Sequence, residues 1–580
     1  MFNIIPLTIL SSSDPPKKVE YFISYYDYYQ PESYIPQKDQ YIEKDASINP
    51  RIEMMRLSAT ASLMQRKDTI VVASVSCIYG LGKPENFEKL GFGIKLNEKI
   101  ERKELIEKLI SIQYERNDTE LSEGRFRVKG DTIDIILGYY MNIIRIEMFG
   151  NQIEKILELD RKSLKIVNKF SDIFIYPARH FVIPESEIQS ALFEIEEQLE
   201  KDLPNLGMIE AHRLKQRTLH DIEMIKETGY CKGIENYSRH FDKRKPGEKP
   251  YTLLDYFPKN DFLIIIDESH QTIPQLHAMY NGDRSRKKAL IDYGFRLTSA
   301  YDNRPLKFEE TEEYLKNNYV LFVSATPADY EILNSDQLVE QIIRPTGLVD
   351  PIVEVRPIKN QIGDLINEIN LTIKRGDRIL VTTLTKKLAE ELNDYLGERG
   401  IKSRYLHSEI KTLERLELIR QLRLGKFDCL VGINLLREGL DIPEVGFIGI
   451  LDADKEGFLR DSRSLIQTIG RAARNVNSKV VLYADFITDS IKNALSETKR
   501  RRDLQIEYNK KNNIVPKTII KPIKEAEVSV TIKDIKNIPK SEIPNILIEL
   551  KKEMEEAAEE LNFEKAIEIR DKIKELEKRI

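Results

Sequence analysis

Asp267 and Glu268 stand side by side immediately after an unbroken apolar run, Phe262–Ile266 (FLIII). A carboxylate delivered to the C-terminal end of a buried parallel strand sits where open α/β sheets bind nucleotides. There the first acid can hold Mg²⁺, and the second can orient or deprotonate an attacking water. An acid pair after a strand is equally the solvated start of a loop, and alone it does not decide between the two. Ser324-Ala325-Thr326 follows a second apolar run, Val320–Val323. Farther on, Gln467-Thr-Ile-Gly-Arg-Ala-Ala-Arg474 spaces Arg471 and Arg474 three apart, which on a helix puts both on one face. Two fixed guanidinium groups can clamp a γ-phosphate and stabilise its developing charge. The plainer reading is a surface salt-bridge face. Acids, Ser-Ala-Thr and arginines in this order favour phosphoryl-transfer chemistry.

A second group is aromatic. Tyr25, Tyr26, Tyr28, Tyr29 and Tyr34 put five phenol rings in ten positions. In a strand, Tyr26 and Tyr28 share one side and Tyr25 and Tyr29 the other. A hairpin with rings on both sides could stack on bases and wedge strands apart, and stacking accepts any base. Composition alone ranks a tyrosine-rich core or partner interface ahead of that. A third group, Arg125, Arg127 and Lys129, alternates along GRFRVKGD and projects from one strand face, ordinarily a solvated one.

These residues need elements to position them. Thr69–Ala73, Phe262–Ile266, Val320–Val323, Ile379–Thr382 and Cys429–Gly432 are short apolar runs, each followed by a helical pattern. They predict α/β architecture with parallel sheets covered by helices on both faces. The runs fall in two groups about a Pro/Gly connector, Arg344–Pro351. Glu88–Arg179 alternates apolar and polar residues instead, which predicts antiparallel strands and a separate inserted domain. Pro184 to about Lys226 reads as helical. The tail repeats apolar residues at three and four (Leu547, Leu550, Met554, Ala557, Leu561, then Ala566, Ile569, Ile573, Leu576, Ile580), a helical hairpin on a polar tether. The first ten residues read as a strand-like segment rather than a signal peptide.

Composition restricts the functions available. With 90 Lys+Arg against 95 Asp+Glu, the net charge is −5, so DNA binding must come from local patches and stacking. Cys77, Cys231 and Cys429 lie far apart, which argues for a reducing compartment and against a disulfide framework or zinc site. No apolar run reaches membrane-spanning length.

The order of the motifs resembles superfamily 2 helicases, whose ATP site lies between two RecA-like lobes. Ile433–Pro443 (INLLREGLDIP), Ile42–Asn49 (IEKDASIN), Ser74–Gly82 (SVSCIYGLG) and Gly233–Phe241 (GIENYSRHF) narrow the resemblance to the B-subunit family of the UvrABC excinuclease. It covers about Val19 to Ile580. It implies a first lobe over 1–87 with a β-hairpin at about 25–48, an inserted domain over 88–179, and the rest of the first lobe with a helical region over 180–345. A second lobe over 346–525, a linker over 526–541 and a UVR domain over 542–580 follow. By this resemblance the chain verifies damage in double-stranded DNA in the cytoplasm, with no membrane association. The five tyrosines are then DNA contacts. Arg125 and Arg127 of the inserted domain become candidate contacts to the A subunit, and the UVR domain binds the C subunit. Asp267, Gln467, Arg471 and Arg474 would contact ATP, with Mg²⁺ at Asp267, and Asp267, Glu268, Arg471 and Arg474 would be catalytic. One departure stands out: the phosphate loop Gly-x4-Gly-Lys-Ser/Thr is absent, and Met1–Lys18 do not restore it. The expectation is a chain lacking the family's N-terminus, with ATP turnover in question. A non-hydrolysing DNA and partner adaptor and a transcription-repair coupling motor are the rival readings.

Overall fold

The computed structural model describes residues 18–24, 26–43, 45–181, 185–406, 412–433, 441–457, 459–522, 570 and 573. The Met1–Leu10 run, Tyr25, residues 434–440 and nearly all of the tether and heptad tail lie outside them. The chain forms two compact units, Phe2–Val339 and Glu340–Ile580.

In the C-terminal unit six parallel strands form one sheet, in the order Ile352–Arg356, Lys479–Tyr483, Val445–Ile450, Arg378–Thr382, Cys429–Gly432, Ser403–Leu406. The central runs are almost wholly apolar because both faces are covered. Ile379, Val381, Phe447 and Val481 pack on one side against Leu365, Ile369, Leu392 and Leu396 of the helices Gln361–Lys374 and Lys386–Glu398. Leu380, Leu430, Ile448 and Leu482 pack on the other side against Leu465, Ile469 and Ile491. Each such side chain, fully buried, contributes about 1.5–3 kcal/mol.

The N-terminal unit holds several smaller pieces. Lys18–Phe22 pairs in parallel with Thr69–Ala73, and Leu263–Asp267 with Tyr319–Val323. The segment expected to be inserted is a six-stranded sheet running from Ile166–Phe170 through Gln152–Leu159, Ile143–Phe149, Thr132–Ile136 and Arg125–Lys129 to Glu115–Arg116. Its pairings are antiparallel except the last. Ile133, Ile135, Ile144 and Ile146 alternate inward and close on Leu105 and Leu109 of the helix Arg102–Ser111. The stretch read as one helical region is two helices, Glu185–Asp202 and Met208–Thr228, parted at Pro204 and Gly207. Proline lacks the N–H that a continuous helix needs there.

The three cysteines are free thiols. Burial pushes Cys77 up to about 11 and Cys231 to about 12, so neither is an activated nucleophile at neutral pH. Among the described residues no helix is long and apolar enough to cross a membrane.

Candidate nucleotide site and nucleic-acid hairpin

Asp267 ends its strand, and its register partner is Val323, so the acids and the Ser-Ala-Thr loop leave neighbouring strands at the same level. Glu268 turns the chain sharply, with φ 43° and ψ 48°, into the helix Ser269–Asp292. A left-handed conformation costs a residue with a Cβ about 1–2 kcal/mol, and hydrogen bonds around the turn offset it. The Glu268 N–H donates to Asp267 Oδ1 at 3.0 Å, and Thr272 Oγ1 donates to the Asp267 carbonyl at 2.9 Å. The two loops are fixed to each other by His270. Its Nδ1 lies 2.8 Å from Ser324 Oγ and 3.6 Å from Glu268 Oε2. Ser324 Oγ also accepts the Thr326 N–H at 3.0 Å, and Ser269 Oγ donates to buried Glu331 at 2.8 Å. Sequence reasoning assigned neither His270 nor Glu331 a role. An imidazole two residues after the acid pair was a visible signal, whereas nothing marked Glu331.

Arg471 and Arg474 do not lie on a continuous helix. The helix Ser462–Gly470 stops before them, with Arg471 as its C-cap, and the chain continues in tight turns. The N–H groups of Arg471, Ala472 and Ala473 each donate three residues back, to Thr468, Ile469 and Gly470. At three residues per turn, side chains three apart eclipse, so the spacing still aligns the two arginines. Gln467 lies on the helix itself, one turn earlier. Arg474 Nε is 3.0 Å from Asp441 Oδ1, and Lys521 Nζ is 2.7 Å from the other oxygen of that carboxylate.

The tyrosine segment is a two-part antiparallel hairpin. Tyr26–Gln30 pairs with Asp45–Ile48, and Ser33–Ile35 with Gln40–Ile42. The register shifts between Tyr26 and Tyr28, which interrupts the two-residue repeat behind the expectation for these rings. Tyr34 packs within the unit, its ring centroid 4.7 Å from Tyr293 and 5.1 Å from Phe295. Between the two ladders Glu32 is buried. It receives Arg296 Nε at 2.9 Å and Tyr41 Oη at 2.5 Å, with Arg217 Nη2 at 3.1 Å. The Tyr41 ring stacks on Phe295 at 4.4 Å. The hairpin is therefore held to the helices Met208–Thr228 and Ser269–Asp292 and to the Arg296 loop by one buried carboxylate and four rings, Tyr34, Tyr41, Tyr293 and Phe295.

In the six-stranded sheet of the N-terminal unit Arg127 donates from Nε and Nη2 to Asp134 at 3.0 and 2.8 Å, and Arg145 grips the same carboxylate at 2.7 Å. Burial raises the Asp134 pKa, but the two arginines outweigh it and hold the carboxyl below its ordinary value. Arg125 lies 3.5 Å from Glu115 and 3.6 Å from Glu120. Arg125 and Arg127 sit at alternate positions of one strand, each with an acidic neighbour that fixes its direction.

Comparison with known proteins gives these pieces a common frame. The UvrB interaction domain matches residues 92–181 and the UvrB third helical domain 186–243. The helicase conserved C-terminal domain matches 360–476, Ultra-violet resistance protein B 482–524, and the UvrB/uvrC motif 544–579. The UvrABC system protein B of Methanosarcina acetivorans is 69% identical over 98% of this chain and 84% of its own length. That of Caldanaerobacter subterraneus is 57% identical over 98% and 87%. Among solved structures, S. cerevisiae Dbp5 bound to RNA and ADP BeF3 aligns at a TM-score of 0.28 and 18% identity, covering 50% of this chain and 78% of that one. Identity at the level of the two UvrABC relatives, sustained over almost the whole chain, means that it belongs to the UvrABC system protein B family, helicase-like subunits of nucleotide excision repair.

Proposed function

We propose that this chain verifies lesions in double-stranded DNA by inserting its hairpin, Tyr26–Ile48, between the strands. The A subunit would deliver the DNA through the domain at 92–181, and the C subunit would be recruited through the motif at 544–579. The observation that carries this reading is the hairpin: a tyrosine-bearing ladder anchored at its far half by the buried Glu32–Arg296 pair. A wedge must be held rigidly at one end to do work on a duplex at the other, and aromatic stacking replaces the base stacking it breaks. The acids after the Leu263–Asp267 strand suit Mg²⁺ by donor type, and Gln467, Arg471 and Arg474 suit nucleotide phosphates. ATP with Mg²⁺ is accordingly the cofactor pair proposed. ATP would supply the phosphoryl group whose transfer drives conformational change. The backbone cradle and lysine of a Gly-x4-Gly-Lys-Ser/Thr loop have no counterpart in these 580 residues, so only part of such a site fits. A cytoplasmic location completes the proposal.

The test is Tyr28→Ala with Tyr29→Ala. Each base–aromatic stack is worth roughly 1–3 kcal/mol, so losing two weakens the lesion-specific complex about a hundredfold or more. Binding is measured by fluorescence anisotropy on lesion-containing and intact duplexes, with a pull-down on the A subunit as a folding control. Wild-type affinity for lesion DNA in a folded double variant would refute the role of these two rings.

A further inference from the structure

Most cations near the hairpin's anchor are neutralised. On the helix Ser269–Asp292, Arg286 and Lys287 both pair with Asp283, at 2.7 and 2.8 Å. Arg304, whose guanidinium lies 5.5 Å from the Tyr280 ring of that helix, is buried and paired with Glu310 at 2.6 Å. Arg284 is held differently. Its guanidinium lies over the Tyr301 ring, 4.8 Å from the centroid, and its Nη1 donates to Tyr280 Oη at 3.3 Å. Lys307 Nζ lies over the Tyr280 ring at 5.6 Å. Among the described residues neither cation is within ion-pairing distance of a carboxylate. Asn281, Arg284 and Lys288 are exposed and step by three and four, which forms one stripe along the helix. Gly282 beside them is exposed, and a Cβ built there meets nothing within 4 Å. Glycine in a helix interior costs about 1 kcal/mol relative to alanine, and here no neighbour requires it. What it does provide is a bare stretch of backbone beside the stripe.

A ring beneath a guanidinium fixes its plane without neutralising its charge, and its N–H edge stays available to an anion. The cations also cover the ring faces, so these tyrosines are poorly placed to stack on bases. We infer that the stripe Asn281, Arg284 and Lys288, with Lys307 beside it, is a second nucleic-acid contact that takes the phosphate backbone of a strand. The inference rests on the DNA-binding reading above and adds to it a sequence-independent, salt-sensitive holding surface apart from the hairpin's own ladder.

The measurement is the salt dependence of binding of a fluorescein-labelled oligothymidine to the full chain. Each lost phosphate contact on a single strand removes about 0.7 from the slope of log K against log salt. Arg284→Gln with Lys307→Gln should therefore lower that slope by about 1.4, while Arg284→Lys keeps the slope because it keeps the charge. The Tyr28→Ala, Tyr29→Ala variant should keep the slope and lose lesion discrimination, which separates this inference from the hairpin reading. An unchanged slope and affinity in the double charge variant, folded by circular dichroism, overturns the inference alone. A wild-type chain that binds no DNA overturns both. A charge variant that binds DNA normally but no longer binds labelled poly-glutamate would assign the stripe to an acidic protein partner and also overturn it.

Discussion

Arg296→Met tests how the hairpin is anchored. Arg296 is 7% exposed and Glu32 6%. The substitution keeps most of the side-chain volume but leaves a buried carboxylate with only Arg217 and Tyr41. Removing one partner of a buried pair costs about 3–5 kcal/mol, and the remaining partners place the cost near the lower end. The anchor joins a small local ladder to the unit, so the loss should appear as local opening rather than global unfolding. At 1.4 kcal/mol per tenfold, about 3 kcal/mol means a fall of roughly 150-fold in protection. Hydrogen exchange read by mass spectrometry on peptides spanning 26–48 measures this, with peptides from the C-terminal unit as internal controls. Acidity provides a second arm. Burial raises the Glu32 pKa, but the ion pair and hydrogen bond with Arg296, the Tyr41 hydroxyl and Arg217 together lower it below 4.5. A group lowered on folding stabilises above its unfolded value and loses that contribution as pH falls through the folded one. Wild-type protection of the hairpin should therefore decline below about pH 4.5, and Arg296→Met should flatten that dependence. Glu32→Gln added to Arg296→Met should recover part of the loss, because it removes the stranded charge. Unchanged exchange over 26–48 in a folded Arg296→Met chain would mean that the ion pair does not hold the hairpin.

Asp134→Asn should release Arg127 and Arg145, destabilise the inserted domain by about 3 kcal/mol at neutral pH and weaken capture by the A subunit. Because the Asp134 pKa is lowered on folding, the gap between wild type and variant in melting temperature should close as pH falls below 3.8. Truncation after Lys540 should leave DNA binding and A-subunit capture intact and abolish capture of the C subunit. Loss of DNA binding as well would show that the tail supports folding instead.

Two of the six strands of the C-terminal sheet were legible because their signal is local. An apolar run of four or five residues beside an amphipathic helix has one economical solution, a strand covered on both faces. The runs Ile379–Thr382 and Cys429–Gly432 coincide with strands to within a residue. The antiparallel pairing of the N-terminal unit's six-stranded sheet was legible for the complementary reason, since its two-residue alternation is the pattern of a one-faced sheet. What could not be read depends on contacts distant in sequence. Glu32 meets Arg296 across 264 residues, and His270 meets Ser324 across 54. Neither pair has a spacing that periodicity can detect. The helix stop at Gly470 was hidden for another reason: turns of three residues and turns of 3.6 space Arg471 and Arg474 almost alike.

The run FLIII carries the same signal as the strands of the C-terminal sheet and meets a different environment. Ile264 and Ile266 face inward, toward Ile273, Leu276 and Leu306. On the outer side Leu263 and Ile265 are each 59% exposed, and Tyr319, Leu321 and Val323 are 79%, 50% and 41% exposed. Among the described residues this two-stranded sheet is covered on one face only. Strand alternation puts Leu263, Ile265 and Asp267 on the same side, so the candidate metal-holding acid and the open apolar face belong to one surface. A layer packed on that face would remove water from the apolar side chains and from the neighbourhood of Asp267 together. Attraction between a carboxylate and a divalent cation strengthens as the local dielectric falls. The open apolar face and the Asp267 carboxylate therefore share one surface of this sheet, and whatever excludes water from the one excludes it from the other.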